Sequence, residues 1–410
     1  MSWRHRYWWL LTLTSVWASF PLMILGTLVS MSNANFVDAY WLDLSSKATV
    51  SLILLAPAFA ALAAWDASRW ATLMPAATRS WIQLLVRQLI VVAVATSTTF
   101  LVTLLLLSVQ VTPGTGLPRL DVVAVAVVMV CAYSAVGFAM GRYMPRLIAA
   151  PLAFTLVWGW VAFTPAVQPF WLRNVTGNLG TSCCSLGFEL IPAALVAPLI
   201  LGFALLISVG LLLTCGARPS IWIMCVVTTC VGVGSAAILA SPAGADPVRT
   251  RSGDQECVTI SGTTFCAWPE HGSTLQRAAP AMSDTVTRLR SAGLAVPGRL
   301  RENVKTESGW SFNLNGASRT AWSTSLALSP LDRLPPTCSQ RNGGRWPAGE
   351  NLGLAGAWLA SVSGTPAAQA AVEQGADLSA LRRLRSQSAE AQTAWFTSAF
   401  AAMQTCEPIA

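Results

Sequence analysis

Candidate acid–base chemistry is concentrated in one short segment, where Trp268 and Pro269 are followed by Glu270 and His271. A glutamate beside a histidine can take up and release a proton, so Glu270 and His271 form a candidate proton-transfer pair. The chain has two histidines, and the other is His5. A zinc peptidase needs paired histidines or equivalent ligands, which this segment does not supply. The alternative is structural: Trp268 packs in a core and Glu270 pairs with an arginine.

Other catalytic signatures are absent from the sequence. No Gly-x-Ser-x-Gly segment presents a nucleophilic serine, and a single outer histidine leaves little room for a catalytic triad. No Gly-x4-Gly-Lys-[Ser/Thr] loop is present either, since both lysines, Lys47 and Lys305, lie in other contexts. The chain therefore has no P-loop of its own for ATP. The sequence predicts no enzyme, no cofactor and no metal site.

The composition is that of a membrane protein. Hydrophobic residues make up 54% of the 410 residues and charged residues 11%, whereas about 25% of an ordinary soluble domain is charged. This excludes a disordered chain and disfavours a purely soluble enzyme. The formal net charge is +8, and in a membrane chain such a surplus is typical of cytoplasmic arginines rather than of nucleic-acid binding. We expect a lipid bilayer as a partner and no nucleic acid.

Seven apolar stretches can cross a bilayer, which takes about 20 residues. They are residues 8–31, 49–65, 89–111, 122–140, 147–166, 191–213 and 221–240. Gly137 and Gly141 have the four-residue spacing that lets two such helices approach closely. We predict an all-α polytopic membrane protein with about seven transmembrane helices. Its C-terminal extracytoplasmic domain is predicted to be mixed but mainly helical.

The charged residues are distributed unevenly. Residues 1–240 carry 16 Asp, Glu, Lys and Arg side chains, and the shorter stretch 241–410 carries 28. We therefore predict a permease-like membrane domain over 1–240, a linker over 241–256 and a disulfide-stapled domain over 257–410. The last stretch is long enough for one soluble domain.

The basic residues indicate how the membrane domain is oriented. With the N-terminus in the cytoplasm, the inner segments carry eight Lys and Arg residues and the outer loops carry three, Lys47, Arg119 and Arg173. Cytoplasmic loops are enriched in these residues, so the bias favours a cytoplasmic N-terminus. Seven passes then place the C-terminal domain outside the cytoplasm of the cell membrane.

The longest predicted cytoplasmic loop is 66–88, and it is divided by a proline, Pro75. Each half mixes an arginine with a tryptophan. The four residues are Arg69, Trp70, Arg79 and Trp81. This composition suggests short helices that lie at a membrane surface or dock on a partner. A plain interfacial loop is the alternative.

The ten cysteines divide by predicted location. Four lie in or near the spans and are interpreted as small buried hydrophobic residues. The other six lie outside the cytoplasm, where disulfides form, and allow 15 pairings. We favour Cys257–Cys266, which closes a short loop, and Cys338–Cys406, which closes a long one. For the adjacent cysteines 183–184, a bridge to a second copy, a local rearrangement and free thiols all stay open.

Local patterns predict several elements of the outer domain. Residues 257–266 are predicted to form two short strands around Ser261 and Gly262. A helix is predicted over 284–292, with Ser283 as its N-cap. The remaining predictions are helices over 349–362 and 377–403 and a strand or loop over 310–328.

Residues 1–215 resemble the permease of a type-2 ABC transporter. The shared features are six spans, a cytoplasmic N-terminus, and the long loop 66–88 between the second and third spans. A re-entrant-looking loop before the sixth span also fits, as does a stretch with Gly137, Gly141 and Pro151 around two arginines. This resemblance implies the fold of a transporter subunit.

The seventh span and the outer domain depart from the basic pattern of that family. They resemble an actinobacterial variety of membrane protein with a Cys-x8-Cys-Ala-Trp-Pro-Glu-His segment. That variety also has a terminal helix, represented in this sequence by Gln392, Trp395 and Cys406.

The permease resemblance implies a division of labour between chains. A separate ATPase chain would bind the 66–88 loop, and ATP-driven closure would reach the spans through this contact. The contact residues implied are Arg69, Trp70, Arg79 and Trp81. Two copies of the chain, or one copy with a related permease, would form the translocation path.

Two other classes of function fit the same sequence. One is a non-transporting membrane anchor that presents an extracytoplasmic sensor or interaction domain. The other is a membrane-bound hydrolase that uses Glu270 and His271.

Overall fold

Two compact units make up the chain, Met1–Arg251 and Ser252–Ala410. The computed structural model describes residues 14–32, 40–73, 78–111, 116–180, 186–216, 218–244, 246–304, 309–315, 318–333, 351–365 and 377–405. Buried hydrophobic side chains form a core in each unit.

The first unit is a bundle of apolar helices. Among its described residues, seven helical stretches are long and apolar enough to cross a membrane. The helices are α1 (Thr14–Met31), α2 (Trp41–Ala48), α3 (Leu52–Leu73), α4 (Thr78–Val111), α5 (Leu120–Tyr143), α6 (Arg146–Phe163), α7 (Ala193–Cys215) and α8 (Pro219–Ala240). A 3₁₀ turn at Thr49–Ser51 joins α2 to α3, so these two form one span. The predicted polytopic membrane fold is confirmed.

Small residues bring α3 and α5 to the distance at which their backbones touch. A Cβ atom added to Gly137 would overlap the carbonyl oxygen of Ala60, and one added to Gly141 would overlap that of Ala64. Both pairs advance in the same direction along the two helices, so α3 and α5 run parallel. The predicted close packing at Gly137 and Gly141 is confirmed.

Both described parts of the predicted 66–88 loop are helical, as expected of its two short pieces, but they are extensions of α3 and α4 rather than separate helices. Helix α3 continues to Leu73 and α4 begins at Thr78. Apolar side chains on both extensions pack in one cluster with α5, and this packing stabilises the extra helical turns. Pro75, expected to divide the loop, lies within 74–77, outside the described residues.

A small antiparallel sheet completes the first unit. Strand β1 (Phe188–Leu190) pairs with β2 (Val248–Thr250), and Glu189 lies opposite Arg249. Arg249 Nε is 2.6 Å from Glu189 Oε1. The stretch 241–256, expected to be a linker, therefore contains a strand that belongs to the first unit, because its backbone pairs with a loop of that unit.

The second unit is built on a three-stranded sheet. Strand β3 (Glu256–Ile260) is antiparallel to the central β4 (Thr263–Ala267), and β5 (Arg299–Arg301) is parallel to it. The predicted turn joins β3 to β4 at Ser261 and Gly262, whose φ angles are 49° and 76°. Two positive φ angles in a two-residue turn are typical of type I′ hairpins.

Five α-helices complete the described part of the second unit. They are α9 (Gly272–Ser291), α10 (Arg319–Leu328), α11 (Leu352–Ser363), α12 (Leu378–Arg385) and α13 (Ala389–Thr405). Helices and sheet share one core, in which Phe265 and Phe312 meet edge to face with their ring centroids 6.1 Å apart. This unit is mixed and mainly helical, as predicted.

Three predicted elements of the second unit differ from the structure. Helix α9 begins at Gly272, so Ser283, expected to cap a shorter helix, is buried in its middle. The stretch 310–328, expected to be strand or loop, contains α10 with Ser318 as its N-cap. The predicted helix 377–403 is two helices, α12 and α13. The ends of these helices are set by apolar faces that pack into the common core. Local capping residues alone did not indicate where the helices begin and end.

Candidate functional site

One end of the helical bundle collects arginines and aromatic rings. The end of α5 meets the beginning of α4 there, with the Arg142 guanidinium 4.5 Å from the centroid of the Trp81 ring. We call this region the basic end and define it by Arg69, Trp81, Arg142, Tyr143 and Arg146. All six helices from α3 to α8 begin or end here, because consecutive helices run in opposite directions.

The basic end links several helices through ring contacts. Arg146 at the start of α6 lies 5.3 Å from the ring centroid of Trp65 on α3. Tyr143 is 6.2 Å from Trp222 on α8, centroid to centroid, and its hydroxyl donates to the carbonyl of Leu212 on α7 at 3.4 Å. A cation–π contact contributes about 0.5 to 2 kcal/mol, depending on how far it is desolvated. These contacts tie α3 to α6, and α5 to α7 and α8, at this end.

The residues predicted to contact an ATPase lie at the same end but differ in exposure. Arg69 is exposed on α3, and Trp70 beside it is half-buried. Trp81 is buried, with its ring edge to face against Phe138 at a centroid distance of 6.1 Å. Arg79 lies in the first turn of α4, and its side chain is outside the described residues. Among the described side chains of this set, the exposed one is therefore Arg69 on α3, and Trp81 connects α4 to the inside of the bundle.

A buried carboxylate lies one turn before Arg69. Asp66 is fully buried and accepts hydrogen bonds from the N–H groups of Thr14 and Ser15 at 3.0 and 3.3 Å. Ser15 Oγ also donates to it at 2.9 Å, and Gln88 Nε2 donates to that hydroxyl. Backbone N–H groups at a helix start stabilise a carboxylate. Asp66, expected at the start of a loop, instead anchors the start of α1 from inside α3.

In the second unit, His271 meets an acid from a distant part of the chain. His271 Nδ1 lies 2.5 Å from Oε1 of Glu302, which is fully buried directly after β5. The same oxygen accepts the N–H of Leu314 at 3.2 Å, and Oε2 accepts the N–H of Trp268 at 3.1 Å. Glu302 thus joins the segment after β4 to the segment before α10.

This geometry redefines the site predicted around His271. Trp268 and His271 contact Glu302, whereas Glu270 is half-buried in the 3₁₀ turn Pro269–His271. Sequence reasoning missed Glu302 because 31 residues separate it from His271 and no local pattern relates them. Both side chains are buried, and the Glu302 carboxyl group contacts His271 and accepts from two backbone N–H groups, which favours a structural role over proton transfer to a substrate. In the described part of the chain, no three His, Cys, Asp or Glu side chains converge to hold a metal ion.

One predicted disulfide is present. Cys257 and Cys266 face each other across β3 and β4 and are bonded. In the chain-entropy model, closing so short a loop contributes about 2.5 kcal/mol. Cys338 and Cys406, predicted to form the second bridge, lie outside the described residues, as do cysteines 183–184.

Similarity to known proteins is confined to the second unit. A family model described as a domain of unknown function, DUF7224, matches residues 265–406. The match covers about a third of the chain and contains His271 and Glu302, so the buried pair lies within it. No curated protein and no solved structure matches the chain.

Proposed function

We propose that the chain is the membrane-spanning, permease-like subunit of an ABC-type export system, with a cytoplasmic N-terminus and a separate ATPase chain as its source of energy. The observation that carries this proposal is the basic end. There, α4 is tied to α5 by Arg142 on Trp81, and α3 is tied to α6 by Arg146 on Trp65. In this proposal, a displacement imposed on these ends of α3 and α4 is passed on to α5 and α6.

The exposed charge at the basic end supports docking of a partner. Arg69 is exposed on α3, and a positive surface attracts an acidic one and orients it. ATP hydrolysis belongs to the partner, because this chain has no P-loop. In this proposal the ATPase contacts Arg69 and Trp70, and Trp81 transmits the movement inward.

The packing within the bundle supports concerted movement. Gly137 and Gly141 place α5 in direct contact with the backbone of α3, and two helices in such contact move as one body. In this proposal, two copies of the chain, or one copy with a related permease, form the translocation path between them.

A second candidate function is a membrane anchor that presents the outer domain to a partner without transport. The observation that favours it is the independent core of the second unit, whose sheet and helices pack on one another within Ser252–Ala410. Such a domain does not require the bundle for its own packing.

The test is purification of the tagged full-length protein in mild detergent, with identification of the chains that co-purify. The export proposal expects a P-loop ATPase in a fixed ratio. Arg69→Glu reverses the exposed charge and is expected to lower recovery of this ATPase about tenfold. Arg319→Glu, at an exposed position on α10, is the matched control and leaves recovery unchanged.

Two outcomes contradict the export proposal. The first is a preparation without any ATPase, in which case co-purified envelope proteins would favour the anchor. The second is an ATPase whose recovery and activity are the same with Arg69→Glu as with Arg319→Glu.

A further inference from the structure

The second unit has an open cavity of about 340 Å³ where the end of α9, helix α11 and the α12–α13 pair meet. Arg288 from the last turn of α9 and Arg385 from the end of α12 both line it. Ser361, Gln392 and Thr393 add hydroxyl and amide groups. No acidic side chain is among the described residues that line this cavity. Its chemistry therefore suits an anionic group.

No ion pair neutralises the charge of the two arginines among the residues that the structure describes. Arg288 also has a defined resting place, because Gly364 follows α11 with a φ of +80° and a Cβ there would overlap Arg288 Nη1. Glycine at this position lets the guanidinium lie against the end of α11. Two such guanidinium groups in one cavity are the usual means of binding a phosphate or carboxylate.

The floor of the cavity is fixed by hydrogen bonds and stacking. Trp358 is fully buried, and its Nε1 donates to Gln392 Oε1 at 3.0 Å. Gln392 Nε2 donates in turn to the carbonyl of Gln387 at 2.8 Å and to that of Arg385 at 3.3 Å. Phe396 stacks on Trp358 with ring centroids 4.9 Å apart. The cavity therefore exists before any ligand arrives, which lowers the ordering cost of binding.

A second groove of about 720 Å³ lies beside this cavity. The two share Ser291, Ala292, Ala389 and Thr393 among their lining residues. The groove is lined by α13 as far as Ala401, and its surface is mainly apolar. Volumes of this size are typical of small-molecule sites. A cavity with two arginines thus adjoins a mainly apolar groove.

We propose that this site binds one anionic amphiphile, a single apolar chain that carries a phosphate or carboxylate head. The head lies between Arg288 and Arg385, which have no salt-bridge partner within the described ranges. The tail lies along α13 between Ala389 and Ala401, where it leaves water. This binding requires neither an ATPase nor transport. It therefore goes beyond the proposed export function and is tested independently of it.

The acidic residue that lines the apolar groove sharpens the proposal. Glu390 lies in the first turn of α13 and is exposed. Its charge repels an anionic head nearby, so Glu390→Gln is expected to increase binding by about twofold.

The experiment uses full-length protein in nanodiscs of phosphatidylcholine and a decyl phosphate that carries a diazirine in mid-chain. After irradiation, labelled residues are located by mass spectrometry. We expect labels on 389–401 and 291–293, with excess inorganic phosphate reducing them. The uncharged probe, the corresponding decyl alcohol, is expected to label these segments at least about tenfold less, because it cannot pair with arginine.

Two double variants test whether labelling depends on the two arginines of the cavity or on positive charge nearby. The double variant Arg288→Gln and Arg385→Gln is expected to lower labelling about tenfold. The control is Arg382→Gln with Arg383→Gln, which removes the same charge from α12 at exposed positions outside the cavity, and it keeps the labelling of the parent. Thermal unfolding shows that the outer domain of each variant is intact.

The proposal is overturned by any of three results. These are absence of labels from both segments, equal labelling by phosphate and alcohol probes, and equal loss in the two double variants. Because inorganic phosphate competes on the unmodified protein, the outcome does not depend on whether the cavity variant folds.

Discussion

The two units of this protein bury their interiors by different means. In the bundle, glycine and alanine bring helices to backbone distance, as Gly137 does against Ala60. In the second unit, large rings fill the space between elements. Trp358 stacks on Phe396, and Phe396 stacks on Phe400 with centroids 5.7 Å apart. Large rings such as Phe59 and Phe138 are buried in the bundle as well, so the difference lies in the backbone-distance contacts that small residues make there.

The difference follows from the solvent around each unit. A hydrophobic side chain gains little by leaving lipid tails for another helix, so helices in a membrane associate through close packing of small residues. In water, each Å² of buried apolar area contributes about 25 cal/mol, which rewards large rings. The backbone-distance contacts of the bundle are therefore the kind of packing expected of membrane helices.

Each unit also buries an acid, and again the partners differ. Asp66 in the bundle is bound by N–H groups at the start of α1 and by the Ser15 hydroxyl. Glu302 in the second unit is bound by His271 and by two backbone N–H groups. In both places a carboxylate joins segments that are distant in sequence, because a buried acid must find its donors wherever the fold supplies them.

The largest expected effect tests the small-residue packing of the bundle. The double variant Gly137→Ala and Gly141→Ala adds two methyl groups that meet the backbone of α3, and we expect it to lose about 4 kcal/mol or more of stability. The control is Gly159→Ala with Gly210→Ala, where nothing lies within 4 Å, and it is neutral or slightly stabilising. Thermal unfolding in detergent measures both. Similar melting of the two double variants would refute close packing as the basis of the bundle.

The second effect is confined to the second unit. Glu302→Gln removes the charge that faces His271 and two N–H groups, so we expect about 3 kcal/mol of destabilisation. The unfolding transition of the second unit shifts and that of the bundle does not. Glu270→Gln, next to His271 in sequence but half-buried, is expected to be much milder. If Glu270→Gln were more destabilising than Glu302→Gln, Glu270 rather than Glu302 would be the main acidic partner in this site.

The smallest effect concerns acid stability of the helix that carries Arg385. Asp377 caps α12 by accepting from the Ser379 N–H at 2.7 Å and the Ser379 hydroxyl at 2.8 Å. The Ser379 hydroxyl, followed by the backbone N–H, lowers the pKa of Asp377 below its usual value. A lowered folded-state pKa gives stability that is present above the unfolded pKa, about 3.9, and is lost as pH falls through the folded pKa.

Asp377→Asn provides the measurement for this effect. Unfolding followed from about pH 6 down to about pH 3 should show a small acid-dependent loss in the parent that the variant lacks. Asp284→Asn, at an exposed position on α9, is expected to keep the acid dependence of the parent. Superimposable pH profiles for parent and Asp377→Asn would rule out this contribution.

Local sequence patterns predicted much of the architecture. The spans were recognisable because a membrane helix must be apolar over its whole length. The hairpin turn at Ser261 and Gly262 was recognisable because glycine readily takes the positive φ that this turn requires. The predictions for Ser283 and Asp66 were wrong. The neighbouring residues indicated that a helix begins at Ser283 and that one ends at Asp66. In the structure, tertiary packing continues both helices past these positions.

The sequence by itself determined the class of protein, its spans, the Cys257–Cys266 bridge and the presence of a separate C-terminal domain, because all of these depend on composition or on residues close together in the chain. Only the tertiary structure decided that Glu302 joins His271, that Arg142 lies over Trp81, and that Arg288 and Arg385 share a cavity. In each of these cases the partners are far apart in sequence, and no periodicity relates them. Their proximity is set by how helices and strands pack, which is a property of the whole unit rather than of any local segment.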